Sequence, residues 1–144
     1  MKTRYLVIVH LEPGFESTAG PLEPMANKVR SLANLYDRVL NITCEELGYD
    51  EIFPALQDFP KKSWLWGFDA DYYKEEEPDR WIEGQNYIKT TGHEYSEILD
   101  WMHNLPKHAH YTLVGGARNE CLQDIYDIFQ HLGLKVKVNE KLTY

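Results

Sequence analysis

Apolar residues fall along this chain in short blocks whose spacing alternates between two periods. Tyr5-Leu6-Val7-Ile8-Val9 is an unbroken apolar run closed by Glu12-Pro13-Gly14, the pattern of a strand buried on both faces. A loop over Glu12 to Glu23 follows, with two Gly and two Pro between its ends. Pro24 suits a first helical position, and Met25, Val29, Leu32, Leu35 and Tyr36 give helical spacing over Pro24 to Tyr36. Arg38 to Thr43 reads as a second strand, and a short helix is expected over Tyr49 to Gln57. From Phe59 to Gln85 the periodicity dissolves into an aromatic and acidic excursion with little expected regular structure. Order returns with a strand at Tyr87 to Lys89 and a helix from His93 to Asn104 that buries Tyr95, Ile98, Leu99 and Met102. Tyr111 to Val114 is the next strand, ending in Gly115-Gly116. Leu122, Ile125, Ile128, Phe129 and Leu132 mark an amphipathic helix closed by Gly133 as its C′ residue, before a last strand over Leu134 to Val138.

Strand and helix therefore alternate, and no Asn-Gly or Asp-Gly hairpin interrupts them. That order predicts crossover connections, hence an α/β fold: a three-layer α/β/α arrangement around a mostly parallel central sheet of about five strands, Rossmann-like in outline. Tyr5–Leu11 should be central and beside Tyr111–Gly115. In such sheets ligands bind beyond the carboxyl ends of the strands, where His10-Leu11-Glu12, Thr43-Cys44 and Gly115 to Cys121 all fall.

The chain has 144 residues, enough for one domain over 1–144, and its 43% apolar and 13% aromatic shares are those of a globular protein. The formal net charge of −8 argues against nucleic acid as a partner, because phosphate binding needs clustered Lys and Arg. The first apolar run carries His10 and stops at a turn, so it reads as a strand rather than a signal peptide, and no run reaches membrane-spanning length. A cytoplasmic protein with no membrane partner is expected, and Cys44 and Cys121 should both be thiols there. Trp64-Leu65-Trp66 and Tyr72-Tyr73 supply more apolar area than a solvated loop needs. They suit a lid, a satellite core or a homo-oligomer interface.

The densest chemistry lies in Gly115-Gly116-Ala117-Arg118-Asn119-Glu120-Cys121, which joins a buried strand to a helix. Small residues let the backbone approach a bound group closely. The amides that open a helix point outward, and a thiol in the first turn sits at the positive end of the dipole, which favours thiolate. Nucleophile and oxyanion donors can thus come from one segment. The competing reading is a small core cysteine beside glycines that only relieve crowding. His108 and His110 read as surface residues at the opposite edge, and Cys44 as an inert thiol. No metal set and no cofactor motif is present, and Gly115-Gly116 lacks the spacing of a dinucleotide-binding turn.

These segments resemble the isochorismatase-like cysteine hydrolase superfamily, which includes nicotinamidases. Its first strand carries V-[IV]-D-x-Q-x-x-F, here Val7-Ile8-Val9-His10-Leu11-Glu12-Pro13-Gly14-Phe15. Its nucleophile turn carries G-x-A-T-D-x-C, here Gly115 to Cys121. The resemblance implies a hydrolase acting on a small-molecule amide or related C–N bond through a thioester. Cys121 would be the nucleophile and Lys89 the triad lysine. A cis Gly116-Ala117 peptide would set the Ala117 and Cys121 amides as an oxyanion hole. Glu12, Phe15, Arg118 and Asn119 would be substrate-binding positions. Where the family has its triad Asp, this chain has His10, and Arg118-Asn119 replaces Thr-Asp. The early Asp and His ligands of nicotinamidases are absent. Since strands one and four should be neighbours, His10 can meet Cys121 as an imidazole base. The alternative is a catalytically impaired member that keeps its pocket as a ligand-binding or protein-interaction surface.

Overall fold

A computed structural model of the chain describes residues 2–43, 52–59 and 104–144, together with the backbone of 63–67. Cys44, Lys89, the expected strand over Tyr87 to Lys89 and the expected helix from His93 (save Asn104, in a turn) lie outside the described residues. Five parallel strands form one sheet: β1 (Arg4–Val9), β2 (Arg38–Thr43), β3 (Ser63–Gly67), β4 (His110–Gly115) and β5 (Lys135–Thr143), in the spatial order β3-β2-β1-β4-β5. β1 is central, as its unbroken apolar run predicts, and it pairs with β4 from Arg4↔His110 to Val9↔Gly115. Among the described residues the helices are α1 (Glu16–Ala19), α2 (Glu23–Leu32) and α3 (Cys121–His131).

Alternation along β1 decides what each helix covers. Tyr5, Val7 and Val9 join Leu40, Ile42, Tyr111 and Leu113 in a cluster closed by Leu122, Ile125, Ile128 and Phe129 of α3. Leu6 and Ile8 face the other way, with Val39 and Val114, onto Ala26 and Val29 of α2. Each such side chain taken fully out of water contributes roughly 1.5–3 kcal/mol before conformational entropy is charged against it. Gly133 ends α3 at φ 77. Its amide and that of Leu134 return to the carbonyls of Gln130 and Phe129, each at 3.0 Å, the paired bonds of a Schellman cap.

Several boundaries differ from the sequence expectation. The stretch from Phe59 to Gln85 contains β3, which pairs in parallel with β2 from Val39↔Ser63 to Thr43↔Gly67. Within the expected helix over Tyr49 to Gln57, the described residues hold one 3-10 turn, Pro54–Leu56. Pro54 has no N–H and fits the start of a turn, not the interior of a helix. The loop after Glu12 is not irregular throughout, since Pro13–Phe15 forms a 3-10 turn leading into α1. α2 gives way at Leu32 to a 3-10 turn over Ala33–Leu35. The last strand runs on to Thr143, with a register shift opposite Leu113 to Gly115. Among the described residues no helix is long and apolar enough to cross a membrane.

Candidate functional site

Chain order reverses at the centre of the sheet, where β1 and β2 lead one way and β4 and β5 the other. The carboxyl ends of β1 and β4 therefore flank a topological switch point, the usual place for a ligand crevice in an open parallel sheet. Gly115 lies there at φ 100, and a Cβ on it would stand 2.1 Å from the Val9 carbonyl oxygen. A Cβ on Gly116 would meet the ring and the carbonyl oxygen of Tyr144, both at 2.7 Å. The two glycines thus admit the protein's own backbone and Tyr144. That is the relief of crowding in the competing reading of the pair.

His10 follows β1 directly. Its backbone is left-handed, at φ 48, a region that costs a non-glycine residue on the order of 1–2 kcal/mol. The surroundings hold it there: its amide donates to the Ile42 carbonyl at 2.8 Å, and its carbonyl accepts the Tyr144 hydroxyl. The imidazole is 1% exposed. Nδ1 lies 3.1 Å from Glu12 Oε2, and the Phe15 ring stands edge-on with centroids 5.5 Å apart. Nε2 is buried and has no hydrogen-bond partner among the described residues.

Cys121 is the first residue of α3, is 6% exposed and is a thiol. The turn before it is tightly bonded. Gly116 N–H donates to Val9 at 2.9 Å and Arg118 N–H to Tyr144 at 2.6 Å, while Glu120 N–H and Leu122 N–H both reach the Ala117 carbonyl. The Ala117 amide donates to no acceptor among the described residues. The Gly116–Ala117 peptide is cis, as the resemblance implies.

These groups open onto a pocket of about 470 Å³. Of the residues singled out in the sequence, His10, Phe15, Ala117, Arg118, Asn119 and Cys121 line it. Glu12 does not. It is buried behind the imidazole, at 4% exposure, rather than presented as a substrate contact. Arg118 has a second occupation, since its Nε donates to Thr143 Oγ1 at 2.9 Å and its Nη2 to the Glu140 carbonyl at 2.8 Å. Thr18, Ala19, Glu120 and Tyr144 complete the lining and were not anticipated. Tyr144 reaches the pocket through contacts with residues far away in sequence, a relation that no local pattern announces.

His108 and His110 are exposed at the opposite edge of the sheet. His110 is held below the usual imidazole range by partial desolvation first, then by Lys2, Lys135 and Lys137. Among the described residues no group of three or more His, Cys, Asp and Glu is arranged to hold a metal ion. Comparisons with protein-family models, with curated proteins and with solved structures return no match to this chain.

Proposed function

We propose that the chain is a cysteine-dependent hydrolase of the isochorismatase-like type, a three-layer α/β/α protein that cleaves a small-molecule amide or related C–N bond. The observation that carries this reading is the buried Nε2 of His10, left without a partner in a pocket that Cys121 also lines. A buried polar atom with no partner is costly to keep, and a reaction that uses it is one reason to keep it.

In this mechanism Nε2 accepts the proton of the Cys121 thiol, and the sulfur attacks the substrate carbonyl carbon. The carbonyl π pair moves to oxygen, which the Ala117 amide meets as a donor. Collapse expels the amine, which takes the proton from Nε2–H and leaves a thioester. Water then attacks the thioester carbon and gives a proton to Nε2. The second collapse releases the acid and returns the proton to sulfur. The sum is amide plus water to acid plus amine, with no cofactor. Lys89 would stabilise the thiolate or position substrate. The proposed setting is cytoplasmic, with a small molecule as the partner.

Two observations favour the alternative, a non-catalytic relative whose pocket serves binding. Nε2 makes no hydrogen bond to the Cys121 sulfur, and an imidazole stands where the family keeps its acid. Catalytic hydrogen bonds often tighten only when substrate is bound, so this does not outweigh the shared pocket. Peptide-resolved iodoacetamide labelling separates the two readings. Cys121 should label in the folded protein, sharply more slowly in His10→Ala and almost unchanged in His108→Ala. A Cys121 that never labels while folded rules out the hydrolase.

A further inference from the structure

Every polar atom of His10 is engaged except one. Its amide is held by Ile42, its carbonyl by Tyr144 and its Nδ1 by Glu12, and only Nε2 is left over. The engaged ring nitrogen matters most, because it decides what the other one can do. An ionised carboxylate can only accept hydrogen bonds, so Glu12 selects the form of the imidazole that carries its hydrogen on Nδ1. In the neutral ring the lone pair then sits on Nε2, which makes that atom an acceptor of protons. Without the carboxylate, either tautomer is open to the ring, and the one protonated at Nε2 cannot take a proton from a thiol.

We infer that Glu12 is a positioning residue that fixes the tautomer and orientation of His10, so that Glu12, His10 and Cys121 work as an acid–imidazole–thiol relay. The inference rests on the hydrolase reading and assigns Glu12 a role other than substrate binding. Geometry supports it in three ways. Glu12 is buried, its carboxylate meets Nδ1 at 3.1 Å, and it is absent from the pocket lining that His10 and Cys121 share. The tight turn from Leu11 to Phe15 brings this about, since the Phe15 amide closes on the Glu12 carbonyl at 3.2 Å. Acid and imidazole thus stand two residues apart on one bend. In the proposed reaction the relay moves one proton between sulfur and Nε2, and Glu12 keeps its charge throughout.

Two measurements on the full chain test this. In ring nitrogen-15 spectra of histidine-labelled protein at neutral pH, His10 is identified by the signals lost in His10→Ala. Its Nδ1 should be of the protonated type and its Nε2 of the bare type. Glu12→Gln should lose that fixed pattern and slow iodoacetamide alkylation of Cys121 by about tenfold or more, as expected when an amide no longer dictates the tautomer. A wild-type His10 protonated at Nε2 and bare at Nδ1 overturns the inference, and this reading needs no Glu12 variant to fold. Alkylation that is unchanged in Glu12→Gln but slowed in His10→Ala overturns it too, while leaving the hydrolase standing. Alkylation unchanged in both variants removes the relay and the His10–Cys121 dyad together, since the helix terminus alone can activate the thiol. A Cys121 that labels in none of the folded proteins removes the hydrolase reading with them.

Discussion

Gly115 and Tyr144 show how unevenly single residues announce themselves. The Gly115-Gly116 pair stands out in the sequence as a strand ending, but its reason lies in two contacts that only the fold supplies. Gly115→Ala would combine a left-handed φ of 100 with a Cβ placed 2.1 Å from the Val9 carbonyl oxygen. We expect a loss of about 3 kcal/mol or more, read as a lower urea midpoint. Gly20→Ala is the control, because Gly20 shares the positive φ, at 82, but faces open space. It should cost only about 1 kcal/mol. Tyr144 carries no local signal, since its hydroxyl finds the His10 carbonyl 134 positions away in sequence. Tyr144→Phe should cost about 1 kcal/mol. It should also loosen His10 enough to alter Cys121 labelling, without the loss that His10→Ala produces.

Elements are legible where a period runs long enough to be read. α3 shows its buried face at Leu122, Ile125, Ile128 and Phe129 and its stop at Gly133, and it folds as that spacing predicts. Phe129 is wholly buried, with its ring edge-on to Tyr111 at 5.4 Å between centroids. Phe129→Ala should therefore cost roughly 3–5 kcal/mol in equilibrium unfolding, the usual range for emptying such a site. β3 is hard to read in the sequence for the opposite reason. Five residues, Ser63-Trp64-Leu65-Trp66-Gly67, show too little of any period, and two tryptophans read equally well as a lid. The segment over 52–59 is tied down by Arg30, which donates to the Gln57 and Asp58 carbonyls at 2.5 and 3.0 Å and lies over the Phe59 ring. An arginine on a helix looks solvent-exposed in sequence. Here its loss in Arg30→Ala should cost about 1–2 kcal/mol through hydrogen bonds and packing together.

At the scale of the molecule, alternation of strand and helix predicts a parallel sheet, and the unbroken apolar run of β1 predicts its centre. The pairing of β1 with β4 follows from the usual strand order of such sheets. The order of the outer strands depends on which edge each crossover takes, which the chain does not spell out. Stability at this scale gathers on the central strands, and Tyr111 of β4 lets it be read through pH. The Tyr111 ring packs at 4.8 Å from Tyr5 between centroids, and its hydroxyl donates to the Pro106 carbonyl at 2.6 Å. Burial, and secondarily Tyr5, raises its ionisation well above the ordinary tyrosine range. A group whose pKa is raised by folding leaves stability intact below its unfolded value, near 10. Above that pH the unfolded chain releases a proton that the folded one keeps, so stability falls as pH climbs. Urea midpoints measured from pH 8 to 11 should thus decline for the wild type beyond about pH 10. Tyr111→Phe should start lower, by about 1 kcal/mol for the lost hydrogen bond, and then decline less steeply, so that the two curves converge. Parallel curves across that range would mean that Tyr111 ionises alike in both states and that the centre of the sheet is less closed to water than its packing implies.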